Sequence, residues 1–277
     1  MRTIAFVIIT MGKSDYLEGM LKSLEKYERV ILVDNSPNGI CKRLIGKYNF
    51  IYCHELKAGV SSARNAGASL AKDVDYIYFL DDDLSFDEEW HRELERTLTS
   101  DECFDLIGGR VIADYSDNLI IPKKYLYLVG EKNLGEISKI VDKDYVGGCN
   151  LLINAETFFE LGGFDVNFGH VGTTLGLNED VVFQELVRKN YGSVYYNPNL
   201  VFYHHWKGNE DDLLKRIRLQ GIYDRHTDLE TNKFRFILRI IKYVIFVSIH
   251  RFCLSKENIC DVKYWDYLRY NSYISNN

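Results

Sequence analysis

Three continuous apolar runs lie in the first eighty residues: Ile4-Ala5-Phe6-Val7-Ile8-Ile9, Val30-Ile31-Leu32-Val33 and Tyr76-Ile77-Tyr78-Phe79-Leu80. A run without polar alternation suits a strand covered on both faces, the position of a central parallel strand. Parallel neighbours need crossover connections, and helical periodicity fills the gaps. Leu17, Met20, Leu21 and Leu24 share one helical face, 42–47 reads as helical, 50–53 as a short strand, and 60–71 as a helix rich in small residues. The alternation predicts an α/β protein with a doubly wound parallel sheet, whose ligands bind beyond the strand carboxyl ends. Asp34 and Asp81-Asp82-Asp83 follow two of those strands directly, so they would meet there.

The second half is mixed. A helix over 88–98 precedes strands at 106–113 and 144–153, a short helix at 155–161 ending in Gly162-Gly163, and a helix over 178–190. Strands at 195–197 and 200–204 complete the core. From Asp211 the chain is helical, and 234–254 is strongly apolar with Arg235, Arg239 and Lys242 at helical spacing. Its uncharged runs fall far short of the roughly 20 residues that span a bilayer. Two readings stay open for it: an amphipathic helix on an anionic membrane surface, or a helix docked on the main body.

A formal net charge of -6 and the lack of any Lys/Arg run exclude a nucleic-acid surface as the expected partner. The six cysteines stand singly, which predicts free thiols in a reducing cytoplasm. Met1-Arg2-Thr3 and the apolar run after it lack a small-residue cleavage site, so the segment reads as a first strand.

Three consecutive aspartates crowd negative charge that a cation would offset, and hard oxygen ligands select Mg2+ or Mn2+. The plain alternative is a solvated acidic turn capping the next helix. Glu179-Asp180 opens a helix and would either complement its dipole or present a general base. His204-His205 ends a strand and offers an imidazole ligand, or an ordinary polar turn.

In this order the motifs resemble those of the family 2 glycosyltransferases, which adopt the GT-A fold, and the resemblance spans about residues 3–206. It rests on Val7-Ile8-Ile9-Thr10, Ile31-Leu32-Val33-Asp34-Asn35-Ser36, the segment 59–67, Phe79-Leu80-Asp81-Asp82-Asp83, Gly147-Gly148-Cys149-Asn150, Gly162-Gly163-Phe164-Asp165, Glu179-Asp180, and Pro198 followed by His204. The resemblance implies a Rossmann-like, mostly parallel sheet flanked by helices: a catalytic domain over 1–206, split into a nucleotide-binding half (1–100) and an acceptor half (101–206), and a helical C-terminal extension over 207–277. It implies that Thr10, Asp34, Arg64, Asp81, Asp82, Gly148 and Asn150 bind the donor, with Asp34 accepting a hydrogen bond from the base and Arg64 holding the base or diphosphate. Asp83 and His204, with His205 as the alternate, would ligate Mn2+ or Mg2+. Asp180, supported by Glu179, would be the base of an inverting transfer from a nucleotide sugar, UDP- or dTDP-linked.

Gly12 stands where the family often has asparagine, and the Gln-x-x-Arg-Trp motif of its polymerising branch is missing, so one sugar per encounter is expected. A glycan, lipid-linked or glycoprotein acceptor in bacterial surface polysaccharide or glycoprotein synthesis follows from the resemblance. The single cysteines point to a cytoplasmic protein, the membrane reading of 234–254 would make it peripheral on the inner face of the cell membrane, and a second copy is a further candidate partner. Two readings compete. A sugar-binding scaffold would use the twenty tyrosines, and a phosphatase with Asp81 as nucleophile would leave Asp34 and Glu179-Asp180 without a role.

Overall fold

The three apolar runs become neighbouring strands. In the computed structural model, which describes residues 2–136, 138–141, 144–169, 178–192, 194–250 and 262–275, β1 (Ile4–Thr10) lies between β2 (Val30–Asp34) and β4 (Tyr76–Asp81), parallel to both. β3 (Ile51–His54) extends this parallel half beyond β2. Alternate residues of β1 feed opposite layers. Phe6 and Ile8 pack with Leu17, Met20 and Leu21 of α1 (Leu17–Leu24) and with Trp90 and Leu94 of α3 (Glu88–Thr99). Ala5 and Val7 pack with Ala63 and Ala68 of α2 (Val60–Ser69), and that layer continues to Phe158 and Phe183. Helix α2 sits unusually close: a Cβ at Gly67 would lie 2.3 Å from Val7 Cγ1.

Beyond β4 the sheet turns antiparallel. Among the described residues it has nine strands, in the order β3-β2-β1-β4-β8-β6-β9-β5, with β7 (Lys139–Ile140) paired to β9. β8 (Asn150–Asn154) runs against β4 and against β6 (Leu106–Asp114). β9 (Val194–His205) lies parallel to β6 and pairs with β5 (Leu84–Ser85). The expected strand over 144–153 is therefore shorter. Gly147 and Gly148 offer no side chain to pack and weaken strand structure, leaving 144–149 as a loop at the carboxyl end of β4. The two expected strands at 195–197 and 200–204 are one. Register slips between Gly109↔Asn197 and Arg110↔Val201, and Pro198, which has no N–H for a ladder bond, falls within the slip.

Helices α4 (Ala155–Glu160) and α5 (Glu179–Asn190) complete the second layer. Among the described residues three helices follow: α6 (Glu210–Thr231), opened by a reciprocal Asn209/Asp212 capping box, α7 (Lys233–His250) and α8 (Val262–Ser275). Tyr125, Leu128 and Val129 of the 3-10 helix Lys123–Val129 share a buried cluster with Leu213, Ile217, Trp265 and Leu268, so α6 and α8 pack on the sheet-bearing body. α7 packs on α8 through Tyr243, which stacks on Tyr270 at 3.8 Å.

The arginines of α7 do not face outward as a membrane-binding row. Arg235 and Arg239 pair with the fully buried carboxylate of Asp228 in α6, at 2.6 and 2.8 Å. The outward face instead exposes Phe234, Ile237, Leu238, Ile241, Val244 and Ile245. Residues 251–254 of the apolar segment lie outside the described residues, and among those described no helix is long and apolar enough to cross a membrane.

Candidate active site

Register brings the acids together. Thr10 sits opposite Asp34, and Ile9 opposite Asp81, so the carboxyl ends of β1, β2 and β4 form one edge. The helix after the triplet is capped by Asp87, whose side chain accepts from the Glu89 and Trp90 amides at 3.0 and 3.1 Å. The triplet is thus not the cap. Asp82 accepts from the Thr10 hydroxyl, and its backbone carbonyl accepts from Ser14 Oγ at 2.6 Å. Burial pushes the Asp82 carboxyl up to about 7, with Asp83 and Asp81 adding to the rise against the Thr10 bond.

Two cavities share Asp81 and Asp83. One, of about 370 Å³, is bordered by Thr10, Asn35, Asp81, Asp82, His205 and Lys207. The Tyr16 ring lies in its wall, stacked on His205 at 3.7 Å, with Lys207 Nζ over the Tyr16 ring at 5.4 Å from its centroid. The second, of about 570 Å³, is bordered by Asp81, Asp83, Gly148, Glu179, Asp180 and His204.

Arg64 ties the two acid groups together. From α2 its Nη1 donates to Glu179 at 2.9 Å, while Nη2 donates to Asp81 and to the Gly148 carbonyl, both at 3.0 Å. At 2% exposure it is an internal bridge at the edge of the second cavity, with both terminal nitrogens engaged by these protein groups. Glu179 is consumed by this pairing. Asp180 is not: burial and then the neighbouring Glu179 push its carboxyl up to about 7, against the pull of Arg64. Its side chain packs so closely on the loop that a Cβ at Gly148 would lie 2.5 Å from Asp180 Oδ2. Asn178, at φ 71°, starts this helix without a side-chain cap; its amide nitrogen donates to Thr227 Oγ1 at 3.1 Å in α6, fixing the helix start against the C-terminal helices.

Adjacent strand residues point to opposite faces, and this separates the two histidines. His205 is engaged by Ser85 and by Asp114, each at 2.7 Å. His204 lies at Asp83, with Nε2 3.4 Å from Oδ2. Its Nδ1 is 2.7 Å from the Val129 carbonyl, which can only accept, so Nδ1 carries a proton and the neutral ring presents the Nε2 lone pair to Asp83. Asp83 Oδ1 is buried with no hydrogen-bond partner among the described residues. A carboxylate and an imidazole lone pair facing each other suit a small divalent cation, and the carbonyl behind the ring is the usual second partner of a metal-bound histidine. Among the described residues no third carboxylate, thiolate or imidazole closes a complete metal cluster with them.

Two expected donor contacts point inward. Asp34 is fully buried and accepts from Ser36 N and Oγ, Cys41 N and Tyr52 OH at 2.5–3.0 Å. Burial alone would raise its carboxyl, yet these bonds hold it below the usual range. Four donors fill its lone pairs, so Asp34 braces the loop and no oxygen remains for a base; Asn35 borders the cavity in its place. Asn150 is also fully buried, accepting from the Gly109 amide at 2.8 Å to join β8 to β6, while Cys149 borders the second cavity. Sequence reasoning missed Lys132, Arg216, Gln220, Asp224, Arg235, Arg239 and Arg269, which also border that cavity. The basic spacing in α7 was visible, but its inward direction required knowing where Asp228 lies.

A half-parallel, half-antiparallel sheet with an acid triplet at the switch is the GT-A architecture. Solved structures share it. GalNAc-T7 with UDP, GalNAc and Mn2+ superposes with a TM-score of 0.58 at 15% identity, covering 98% of this chain and 54% of that one, so this chain spans about half its length. The mannosyltransferase PcManGT from Pyrobaculum calidifontis, in complex with GDP-Man and Mn2+, gives 0.56 at 13% identity, covering 99% and 70%. Residues 5–155 match the glycosyl transferase family 2 model, and the chain belongs to that family. It is 24% identical over 259 residues to the glucosyl-dolichyl phosphate glucuronosyltransferase of Haloferax volcanii, covering 84% of this chain and 82% of that protein.

Proposed function

We propose that this glycosyltransferase moves one sugar from a UDP- or dTDP-linked donor to an acceptor hydroxyl, with inversion at the anomeric carbon. One observation carries the reading: Asp180 borders the same cavity as Asp81, Asp83 and His204. A proton acceptor and the diphosphate end of a donor thereby share one space.

In the reaction the acceptor oxygen forms the new bond to the anomeric carbon, its proton passes to Asp180, and the bond to the diphosphate breaks with its electron pair leaving on phosphate oxygen. Single displacement needs a base opposite the leaving group and no enzyme nucleophile. Asp180 suits the task because a carboxyl raised to about 7 is a stronger base than an exposed one and is still ionised at neutral pH in good part. Asp83 and His204 would hold Mn2+ or Mg2+, which when bound neutralises charge developing on the diphosphate. Lys13 at the first cavity adds positive charge on the nucleotide side, while Lys207 there is paired with Asp15.

A lipid-linked sugar is the acceptor class we favour, in line with the Haloferax relative's name. Peripheral membrane contact through α7, on the cytoplasmic side, belongs to the same reading, carried by its exposed apolar face. The domain division at about residue 206 serves this scheme with one change: α6 to α8 join the acceptor side, because residues from all three border the second cavity.

A panel of UDP-, dTDP- and GDP-sugars, with and without Mn2+, tests the reading by thermal stabilisation and product NMR. Metal-dependent stabilisation by UDP- or dTDP-sugars and a β-linked product from an α-donor are expected. A retained anomeric configuration, or no stabilisation by any nucleotide sugar, would overturn it.

A further inference from the structure

The second cavity has two chemically distinct ends. One holds the acids around Arg64; the other, formed by α6, α7 and α8, is bordered by Arg216, Arg235, Arg239 and Arg269. Arg216 faces Asp83, Asp212 and Asp81, and the carboxylates beside the other three are Asp224, held by Arg269 at 2.5 Å, and Asp228, shared by Arg235 and Arg239. Three guanidiniums against two carboxylates leave one positive charge in excess at this end. Asp228 also accepts from Tyr273 OH at 2.8 Å, so its lone pairs are well occupied and the arginines are fixed in place. Arg216 donates to the Leu128 carbonyl at 2.8 Å, which fixes its orientation between this end and the acids. Guanidinium forks of this kind match the geometry of phosphate oxygens.

We infer that the α6–α8 end of the cavity is an anion subsite that holds the phosphate of an amphiphilic acceptor, a sugar linked through phosphate to a lipid chain. This rests on the transferase reading of the same cavity and names its acceptor. The amphiphile follows from α7 itself: Arg235 and Arg239 border the cavity, while Phe234, Ile237, Leu238 and Ile241 of the same helix are exposed on its other side. A phosphate reaching those arginines would leave its chain against that apolar surface, with the sugar extending toward Asp180.

The test uses the full chain in EDTA, without nucleotide, so that neither donor nor metal site contributes. Farnesyl phosphate, farnesol and inorganic phosphate are titrated by calorimetry below their aggregation limits. Farnesyl phosphate is expected to bind at least tenfold more tightly than either of the others. Arg239→Gln should weaken it tenfold or more, Arg239→Lys less. Because Arg239→Gln disturbs a buried pair, Arg216→Gln provides an independent variant, and unfolding curves confirm that each is folded. Equal binding of farnesol, equal binding of inorganic phosphate, or indifference to both glutamine variants would overturn the subsite. So would Arg239 dependence confined to a uronate-bearing nucleotide, which would assign the arginines to a donor carboxylate. Donor hydrolysis by a chain that ignores farnesyl phosphate would leave the transferase reading standing and defeat only this assignment.

Discussion

Arg64 donates to Glu179 at 2.9 Å across two elements 115 residues apart in sequence, and this pair joins the donor edge of the sheet to the helix that carries Asp180. Both side chains are nearly excluded from water. Removing one partner of such a pair leaves an uncompensated charge, a larger loss than the pair's own net contribution. Arg64→Met should destabilise the protein by about 3–5 kcal/mol in urea unfolding. Adding Glu179→Gln should recover part of that loss.

Transfer should depend on pH through Asp180. Its carboxyl is raised to about 7, chiefly by burial, and a base acts only when deprotonated. The rate is therefore expected to rise through about pH 7, level off above about 8, and fall near tenfold per unit below about 6. For stability the sign is opposite. A carboxyl raised in the folded state keeps a proton that the unfolded chain has lost, so this group's contribution declines as pH rises from about 4 through about 7. Asp180→Asn should shrink the decline seen in melting curves across pH, leaving the share of Asp82, whose carboxyl is likewise raised to about 7.

Gly148 has no room for a side chain, because a Cβ there would meet Asp180 Oδ2 at 2.5 Å. Gly148→Ala should displace the carboxylate and lower kcat by about 100-fold, the scale of loss from an ångström-level misplacement. Metal-dependent nucleotide binding should change far less. Calorimetry with UDP and Mn2+, alongside kinetics, checks the split.

The histidines should separate in a metal titration. His204 faces Asp83 at 3.4 Å, whereas His205 is held by Ser85 and Asp114. Asp83→Ala and His204→Ala are expected to weaken Mn2+-dependent UDP binding at least tenfold. His205→Ala should keep the Mn2+ dependence, and any loss should come from the Tyr16 stack on the nucleotide side.

Much of the fold was legible because burial on two faces leaves a one-dimensional trace: β1, β2 and β4 read as apolar runs, and α1 as a one-faced helix. The gathering of Asp81, Asp83, Gly148, Glu179, Asp180 and His204 around one cavity followed from strand ends and helix starts. Side-chain direction within a turn did not follow. Asp34 and Asn150 stand at strand ends like Asp81, yet local donors turn them inward, and nothing in residue type distinguishes the cases. The arginines of the second cavity were hidden for another reason. Asp224 and Asp228 meet them only through the packing of α6 on α7 and α8, so helical spacing alone left Arg235 and Arg239 looking like a surface row.

The most direct measurement compares Asp180→Asn with Asp83→Ala in parallel assays of transfer and nucleotide binding. Asp180→Asn is expected to bind UDP with Mn2+ as the parent does while losing transfer by about 1,000-fold or more, within the range for loss of a general base. Asp83→Ala should lose the metal-dependent binding itself. Full transfer by Asp180→Asn would contradict the assignment of the base, and with it the use proposed for the shared cavity.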